Sequence, residues 1–262
     1  MPRTGARAST LRPQLGIPFL ERSYPFGCVW TIQPDDPARE GRDLLTQVYD
    51  GCPTMLGLLP TGRPWGSDVE HVSMFWSLPV EEHAAFVARG LGAFKEELAR
   101  CDPATEAIMA PVTRMEQLVF ASYTDVMMPR FAAEGAVCIG DAAHAMSPQL
   151  GQGANLALVD AWKLALAVED SGGDVARALA RYSSERRWRT WFYQANSQLL
   201  TPVFQSRSKL IGAARDALMG PLCRFGPTRQ QMLTTLAGAQ NNLIPWSTIP
   251  TEEFTHHMSH MA

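Results

Sequence analysis

Residues 136 to 169 read AVCIGDAAHAMSPQLGQGANLALVDAWKLALAVE, and the fold turns on how this stretch is parsed. Four apolar residues, Ala136 to Ile139, run into Gly140-Asp141. A loop carrying Pro148, Gly151 and Gly153 follows, and from Leu156 to Val168 the chain is almost wholly apolar. The pattern predicts a buried strand, a tight turn bearing one carboxylate, and a long core helix that opens on small residues. The first N–H groups of a helix lack intrahelical acceptors and sit at the positive end of its dipole. A start stripped of side chains therefore brings them close to an electron-rich ligand.

Upstream of this stretch the signals are those of strands. Gly27 to Ile32 is rich in β-branched and aromatic residues and stops at Pro34. Leu44 to Tyr49 ends at Asp50-Gly51, a hairpin turn, and Thr54 to Leu59 runs into Pro60-Thr61-Gly62. Val69 to Leu78 sets Val72, Met74 and Trp76 in alternation, with Phe75 on the other face. Short turns between these runs predict an antiparallel or mixed sheet, not βαβ units. Glu81 to Arg100 has helical spacing, with Ala85, Phe86, Leu91, Phe94 and Leu98 apolar. Gly90-Leu91-Gly92 lies inside that pattern with no strand before it, so it does not read as a nucleotide-binding turn. Gln117 to Tyr123 is a further strand.

Downstream, Gly172-Gly173-Asp174 stops one helix and caps the next. That helix runs from Val175 to about Gln194, and a third helical pattern covers Gln198 to Met219. The remainder, with Pro221, Pro227, Pro245 and Pro250, reads as irregular.

Composition narrows the function classes. The chain has 262 residues, 46% of them hydrophobic and 19% charged, which suits one large or two small globular domains. A net charge of −3 gives no footprint for nucleic acid or for an anionic membrane surface. No apolar run approaches the roughly 20 residues of a membrane span, and the N-terminus has no apolar core of a secretory signal. The cysteines, Cys28, Cys52, Cys101, Cys138 and Cys223, are odd in number and form no C-x-x-C pair, which points to reduced thiols in a cytoplasmic protein. Asp141, His144 and Ser147 are too close together to be a hydrolase triad, and no G-x-S-x-G elbow accompanies them. No metal site is expected; His256, His257 and His260 fall in a polar tail. The arginines at 177, 181, 186, 187 and 189 read as a solvated or inter-helix face.

From Gly140 to Asn155 the sequence spells G-D-x-x-H-x-x-x-P-x-x-G-x-G-x-N. This signature, after a strand and opening a helix, resembles the flavin-binding motif of the FAD-dependent aromatic-hydroxylase family, the p-hydroxybenzoate hydroxylase-type class A flavoprotein monooxygenases. The resemblance implies an FAD site made of Gly140, Asp141, Pro148, Gly151, Gln152, Gly153, Ala154 and Asn155. Asp141 would take the ribityl-pyrophosphate part, and the N–H groups of Gly153, Ala154 and Asn155 would face the flavin N1–C2=O edge. Pro148 would stand near substrate and flavin, and no side chain is assigned catalysis; His144 is given no chemistry. Residues 5–12 are similar to the family's second motif, D-G-x-x-S-x-x-R. Ser9 and Arg12 match, while Gly5 and Ala6 stand where Asp and Gly are expected, so Arg12 joins the site. Trp30, Phe75 and Trp76 are candidates for a substrate pocket or for core.

The family resemblance implies an α/β (α+β) protein. Residues 1–20 and 124–173 would form a partial FAD-binding, Rossmann-like domain. Residues 21–123 would form a mixed, largely antiparallel substrate-domain sheet, and 174–262 would supply C-terminal helices and an irregular tail. It also implies NAD(P)H as electron donor, O2 and a small aromatic or hydrophobic substrate, and oxygen transfer through a flavin C4a-hydroperoxide. The family's G-x-G-x-x-G unit does not occur in the chain. A homodimer or a preceding N-terminal segment is therefore an expected partner. The alternative reading is a catalytically incompetent remnant, or one half of a split flavoprotein.

Overall fold

The computed structural model describes residues 9, 11–50 and 54–240. Gly5, Ala6, Gly51, Cys52 and the histidines at 256, 257 and 260 lie outside them. The chain divides into two compact units. One comprises Met1–Arg22, Thr124–Leu200 and Arg215–Ala262, the other Ser23–Tyr123 and Thr201–Ala214.

The second unit is built on a five-stranded sheet of order β2-β3-β4-β1-β5. Its strands are β1 (Leu20–Pro34), β2 (Thr46–Asp50), β3 (Thr54–Gly62), β4 (His71–Pro79) and β5 (Val119–Met127). β1 pairs with β4, β4 with β3 and β3 with β2, all antiparallel. Asp50 pairs with Thr54, as a hairpin at Asp50-Gly51 requires. Strand β3 outlasts its expected end at Leu59, because a register shift between Pro60 and Gly62 absorbs the proline.

The period-two pattern of β4 decides the two faces of this sheet. Val72, Met74, Trp76 and Leu78 are buried with Val29, Leu56 and Leu58. The same cluster includes Phe86, Phe94 and Leu98 of helix α1 (His83–Cys101) and Ile108 and Met109 of the short α2 (Thr105–Met109). Helix α1 is kinked at Gly90 (φ 82°, ψ 166°), where the sequence pattern suggested an unbroken helix.

The first unit carries residues 136–169. Ala136 to Ile139 is not a buried strand. Only Ala136–Val137 (β7) is extended, paired antiparallel with Ala132–Ala133 (β6). Among the described residues β7 has this one neighbour, so it is half-buried and Ile139 is exposed. Burial on both faces needs flanking strands, and the described residues supply one.

After the short α3 (Asp141–His144) and a 3-10 turn at Pro148–Leu150, helix α4 spans Gly153–Asp170. It is not core along its whole length: Leu156, Asp160 and Ala167 are buried on one face, while Leu158 is 72% exposed. Asp174 caps the next helix, its Oδ1 accepting the Arg177 N–H at 3.0 Å. That helix, α5 (Val175–Phe204), runs through the break expected near Gln194 and takes in Pro202. Helices α6 (Lys209–Arg224) and α7 (Gly226–Leu236) follow, so part of the expected irregular remainder is helical. Pro227 falls in the first turn of α7, where its missing N–H is no loss.

Candidate functional site

Gly140 turns the chain from β7 into α3 with φ 56° and ψ −141°, a conformation that a residue with a Cβ does not adopt. An added Cβ would also stand 3.0 Å from the Ala157 Cβ. The turn therefore admits glycine alone, for conformation and for space. Its N–H points inward and its successor outward: Asp141 is exposed, at the first position of α3.

A buried ion cluster lies beneath the turn. Asp160 Oδ2 accepts the Gly140 N–H at 2.8 Å and contacts His144 Nε2 at 2.5 Å. Asp160 Oδ1 accepts Arg186 Nε at 2.7 Å, and Arg186 Nη2 reaches the Leu156 carbonyl at 3.3 Å. All three side chains are buried. Burial pushes the Asp160 carboxyl up, but the His144 hydrogen bond, the charges of His144 and Arg186 and the Gly140 N–H outweigh it. Its pKa lies below the ordinary carboxylate value. His144 is thus spent on Asp160, and Ser147 on Ser197 at 2.8 Å, so neither faces Asp141 as a triad partner would.

Arg12, from the second motif, is brought to the same turn. Its Nη1 donates to the Ala142 carbonyl at 3.0 Å, its Nη2 pairs with Glu21, and its guanidinium lies 4.7 Å over the Phe19 ring. The Arg12 N–H donates to Ser9 Oγ at 3.2 Å, so the two matching residues of that motif hold each other. Beyond α3, the Val126 N–H donates to the Ala145 carbonyl at 2.9 Å, and Gln194 Nε2 donates to the Val126 and Ala145 carbonyls at 2.6 and 3.2 Å. These contacts tie the loop to Val126, within the same unit.

Pro148 and Gly151 are exposed, and Gly151 closes the 3-10 turn with φ 62°. Helix α4 starts at Gly153, and the Gln152 carbonyl already serves Leu156 at 2.9 Å. That leaves the N–H groups of Gly153, Ala154 and Asn155 without intrahelical acceptors. A Cβ built on Gly153 would lie 3.8 Å from Asp141 Oδ1, so the outward carboxylate and the helix start stand side by side.

The side chains of Gln152 and Asn155 are otherwise engaged. Asn155 Nδ2 donates to Gln152 Oε1 at 2.8 Å, and Gln152 Nε2 donates to the Leu236 carbonyl at 2.7 Å. Gly238, at φ 70°, packs so tightly there that a Cβ would meet Asn155 Nδ2 at 2.0 Å. Arg189 donates to the Gly238 carbonyl, and the Gln240 N–H donates to Tyr193 Oη at 3.2 Å.

The structure thus brings Gly140, Asp141, Pro148, Gly151, Gln152, Gly153, Ala154, Asn155 and Arg12 into one unit. Sequence reasoning missed Asp160 and Arg186 as its support. The signal was a lone acid inside an apolar helix, and an arginine at helical spacing from Tyr182 and Tyr193, both fully buried. Among the described residues no group of acids, histidines and cysteines is placed to hold a metal, and no helix is long and apolar enough to cross a membrane. The described cysteines, Cys28, Cys101, Cys138 and Cys223, are free thiols.

A glycine-reversed turn, an outward carboxylate and an open helix start stand together in an α/β chain that also carries an antiparallel sheet. The family described as FAD binding domain matches residues 5–197, and the chain belongs to it. Over 131 residues it is 34% identical to the 3-(3-hydroxy-phenyl)propionate/3-hydroxycinnamic acid hydroxylase of Burkholderia cenocepacia, covering 46% of this chain and 24% of that protein. Over 94 residues it is 35% identical to salicylate hydroxylase of Pseudomonas putida, covering 35% of this chain and 22% of that protein.

Among solved structures, HpxO of Klebsiella pneumoniae, complexed with FAD and uric acid, matches with a TM-score of 0.68 and 20% identity over 89% of this chain and 58% of its own. PqsL of Pseudomonas aeruginosa, in complex with 2-aminobenzoylacetate, matches with a TM-score of 0.62 and 24% identity over 80% of this chain and 56% of its own. At such identities the likeness establishes the fold. The matches with the two hydroxylases extend over 24% and 22% of those proteins, and those with the solved structures over little more than half of theirs.

Proposed function

We propose that the chain binds FAD and supplies the flavin-ring side of a monooxygenase that hydroxylates an aromatic or small hydrophobic substrate with NAD(P)H and O2. The observation that carries this reading is the exposed Asp141 carboxylate beside Gly153, next to three helix N–H groups with no intrahelical acceptor. The donor set suits FAD. A carboxylate accepts hydrogen bonds from polyol hydroxyls, helix N–H groups meet an electron-rich ring edge, and Gly151 and Gly153 admit a flat ring without a Cβ in its way. FAD, when bound, supplies the redox chemistry that activates O2.

The residues of this chain bind, orient and exclude water. Asp141 takes the ribityl-pyrophosphate portion, the N–H groups of Gly153, Ala154 and Asn155 take the ring edge, and Pro148 borders the substrate. Arg12 acts through the Ala142 carbonyl. Gln152 and Asn155 contribute backbone, since their side chains bind each other and Leu236.

In this reading residues 1–20 and 124–173 are the flavin-binding part and 21–123 the substrate part. The two faces of the five-stranded sheet support the second assignment. Trp76 is buried against Phe94 in the core, ring centroids 5.7 Å apart, whereas Trp30 and Phe75 pair on the opposite face and are half-buried. Gly57 sits opposite Phe75, and a Cβ built on it would touch the Phe75 side chain at 3.7 Å. That aromatic face is the proposed substrate wall.

Asp141→Ala tests the assignment. The variant is expected to weaken FAD binding by about tenfold or more, the value of a charge-assisted hydrogen bond, with little loss of thermal stability because Asp141 is exposed. Flavin fluorescence titration measures it; an unchanged affinity removes Asp141 from the site.

A further inference from the structure

Asp160 is fully buried in α4, while Glu169 and Asp170 at the end of the same helix are exposed. Its carboxylate is shared by three residues: Gly140, 20 residues before it, His144, and Arg186, 26 residues after it. A buried carboxylate is a costly element, and hydrophobic residues of similar volume often serve a core better. Besides pairing with His144 and Arg186, this carboxylate takes the Gly140 N–H. That amide belongs to the one residue whose reversal sends Asp141 outward.

The other restraints act on neighbouring groups. Arg12 holds the Ala142 carbonyl with a charge-assisted bond, two residues past the reversal. The α3 bonds from Ala143 and His144 to the Gly140 carbonyl, at 2.9 and 3.0 Å, are neutral backbone contacts. A hydrogen bond to a charged acceptor is roughly twice as strong as a neutral one, so Asp160 dominates the orientation of the Gly140 peptide.

We propose that Asp160 is a positioning residue for the cofactor turn: by accepting the Gly140 N–H it fixes the reversal that points the Asp141 carboxylate outward beside Gly153, and it acts on FAD through Asp141. The inference rests on the FAD reading given above. Arg186 and His144 keep the Asp160 carboxylate ionised and oriented, in the way that outer partners orient a ligating side chain.

The test is a double-mutant cycle in the full 262-residue chain, read by flavin fluorescence titration and by amide hydrogen exchange without FAD. Asp160→Asn keeps the shape and loses the charge. It is expected to weaken FAD binding about tenfold in the natural background, and less than about twofold when Asp141→Ala is already present, because residues acting through one another are not additive. Equal losses in both backgrounds make Asp160 a scaffold residue and overturn the proposal.

Without FAD, Asp160→Asn is expected to lower protection of the Gly140 amide by about tenfold, while the α5 amides far from residue 186 hold theirs. Unchanged Gly140 protection also overturns it. If the natural chain binds no FAD, the FAD reading fails on its own, and the positioning of the turn still stands or falls with the Gly140 amide. Gly140→Ala asks the same question from the turn side if Asp160→Asn does not fold. It leaves the Asp160–Arg186 pair in place and is expected to weaken FAD binding as Asp160→Asn does; natural affinity in Gly140→Ala overturns the proposal.

Discussion

The two ends of the loop between Gly140 and Asn155 are held by different kinds of bond. At the Gly140 end the chain is fixed by a buried carboxylate with a guanidinium and an imidazole around it. At the Asn155 end it is fixed by neutral amides and by the Leu236 carbonyl at the end of α7, with Arg189 on the Gly238 carbonyl just beyond. The first arrangement is expensive to disturb, because removing one charge strands the others in the core. The bonds among Gln152, Asn155 and Leu236 are worth about 1 kcal/mol each, and none of them strands a charge when it opens. A site built this way is expected to yield at its helix start before its carboxylate turn.

The largest effect should come from breaking the charged end outright. Asp160→Ala leaves Arg186 buried without its carboxylate, and we expect a loss of about 3–5 kcal/mol in unfolding free energy, measured by denaturant titration. A loss below about 1 kcal/mol would mean that water or a neighbour replaces the carboxylate, and the contrast between the ends would disappear.

Acid separates the two ends without mutation. The Asp160 pKa is lowered on folding, so its contribution is fully present above the ordinary carboxylate value of 3.8 and is lost as pH falls through the lower folded value. The Gln152, Asn155 and Leu236 contacts contain no ionisable group. The carboxylate's share of the stability difference between the natural chain and Asp160→Asn should therefore shrink as pH drops below the carboxylate range. A difference independent of pH would contradict the ionised state of Asp160.

The neutral end should respond next. Gly238→Ala forces an L-residue to φ 70° and drives a Cβ into the Asn155 amide. The expected cost is about 1–2 kcal/mol, and it should appear as faster hydrogen exchange at residues 236–240, with the Gly140 amide unchanged. Spread of the effect to Gly140 would show that the ends are coupled, contrary to the comparison.

How much of this was legible in the sequence differs between the same two ends. The alternation of Val72, Met74 and Trp76 gave the sheet its core face directly, because a strand period of two is local. The glycines at 140 and 151 marked turns that the chain does make, and Gly153 opens α4. Asp160 was visible only as an interruption in an apolar helix, because its partners lie 20 residues before and 26 residues after it and no local pattern encodes such a pairing. The strand at 136–139 was misjudged for a related reason: four apolar residues in a row suit a doubly buried strand, but burial depends on neighbours. Helix α5 continues past Gln194 because no glycine or proline interrupts it before Pro202. The seating of Leu236 and Gly238 on Gln152 and Asn155 had no sequence signal beyond a glycine near a helix end.

The smallest predicted effect probes that seating most finely. Asn155→Ala removes one neutral hydrogen bond, from Nδ2 to Gln152 Oε1, at a cost of about 1 kcal/mol or less. It also clears the atom that a Cβ at residue 238 would strike first, leaving Gln152 Oε1 at 2.5 Å as the next contact. If the steric clash is the main cost of Gly238→Ala, that cost should fall in the Asn155→Ala background, to about the backbone strain of an alanine at positive φ, roughly 1 kcal/mol. If instead the two losses add, the strain of φ 70° accounts for all of it, and the side chains of Asn155 and Gln152 yield freely. The FAD titration of Asn155→Ala then reads the backbone alone. Its affinity should stay within about twofold of the natural chain, because the proposed ligand there is the Asn155 N–H and not the amide side chain.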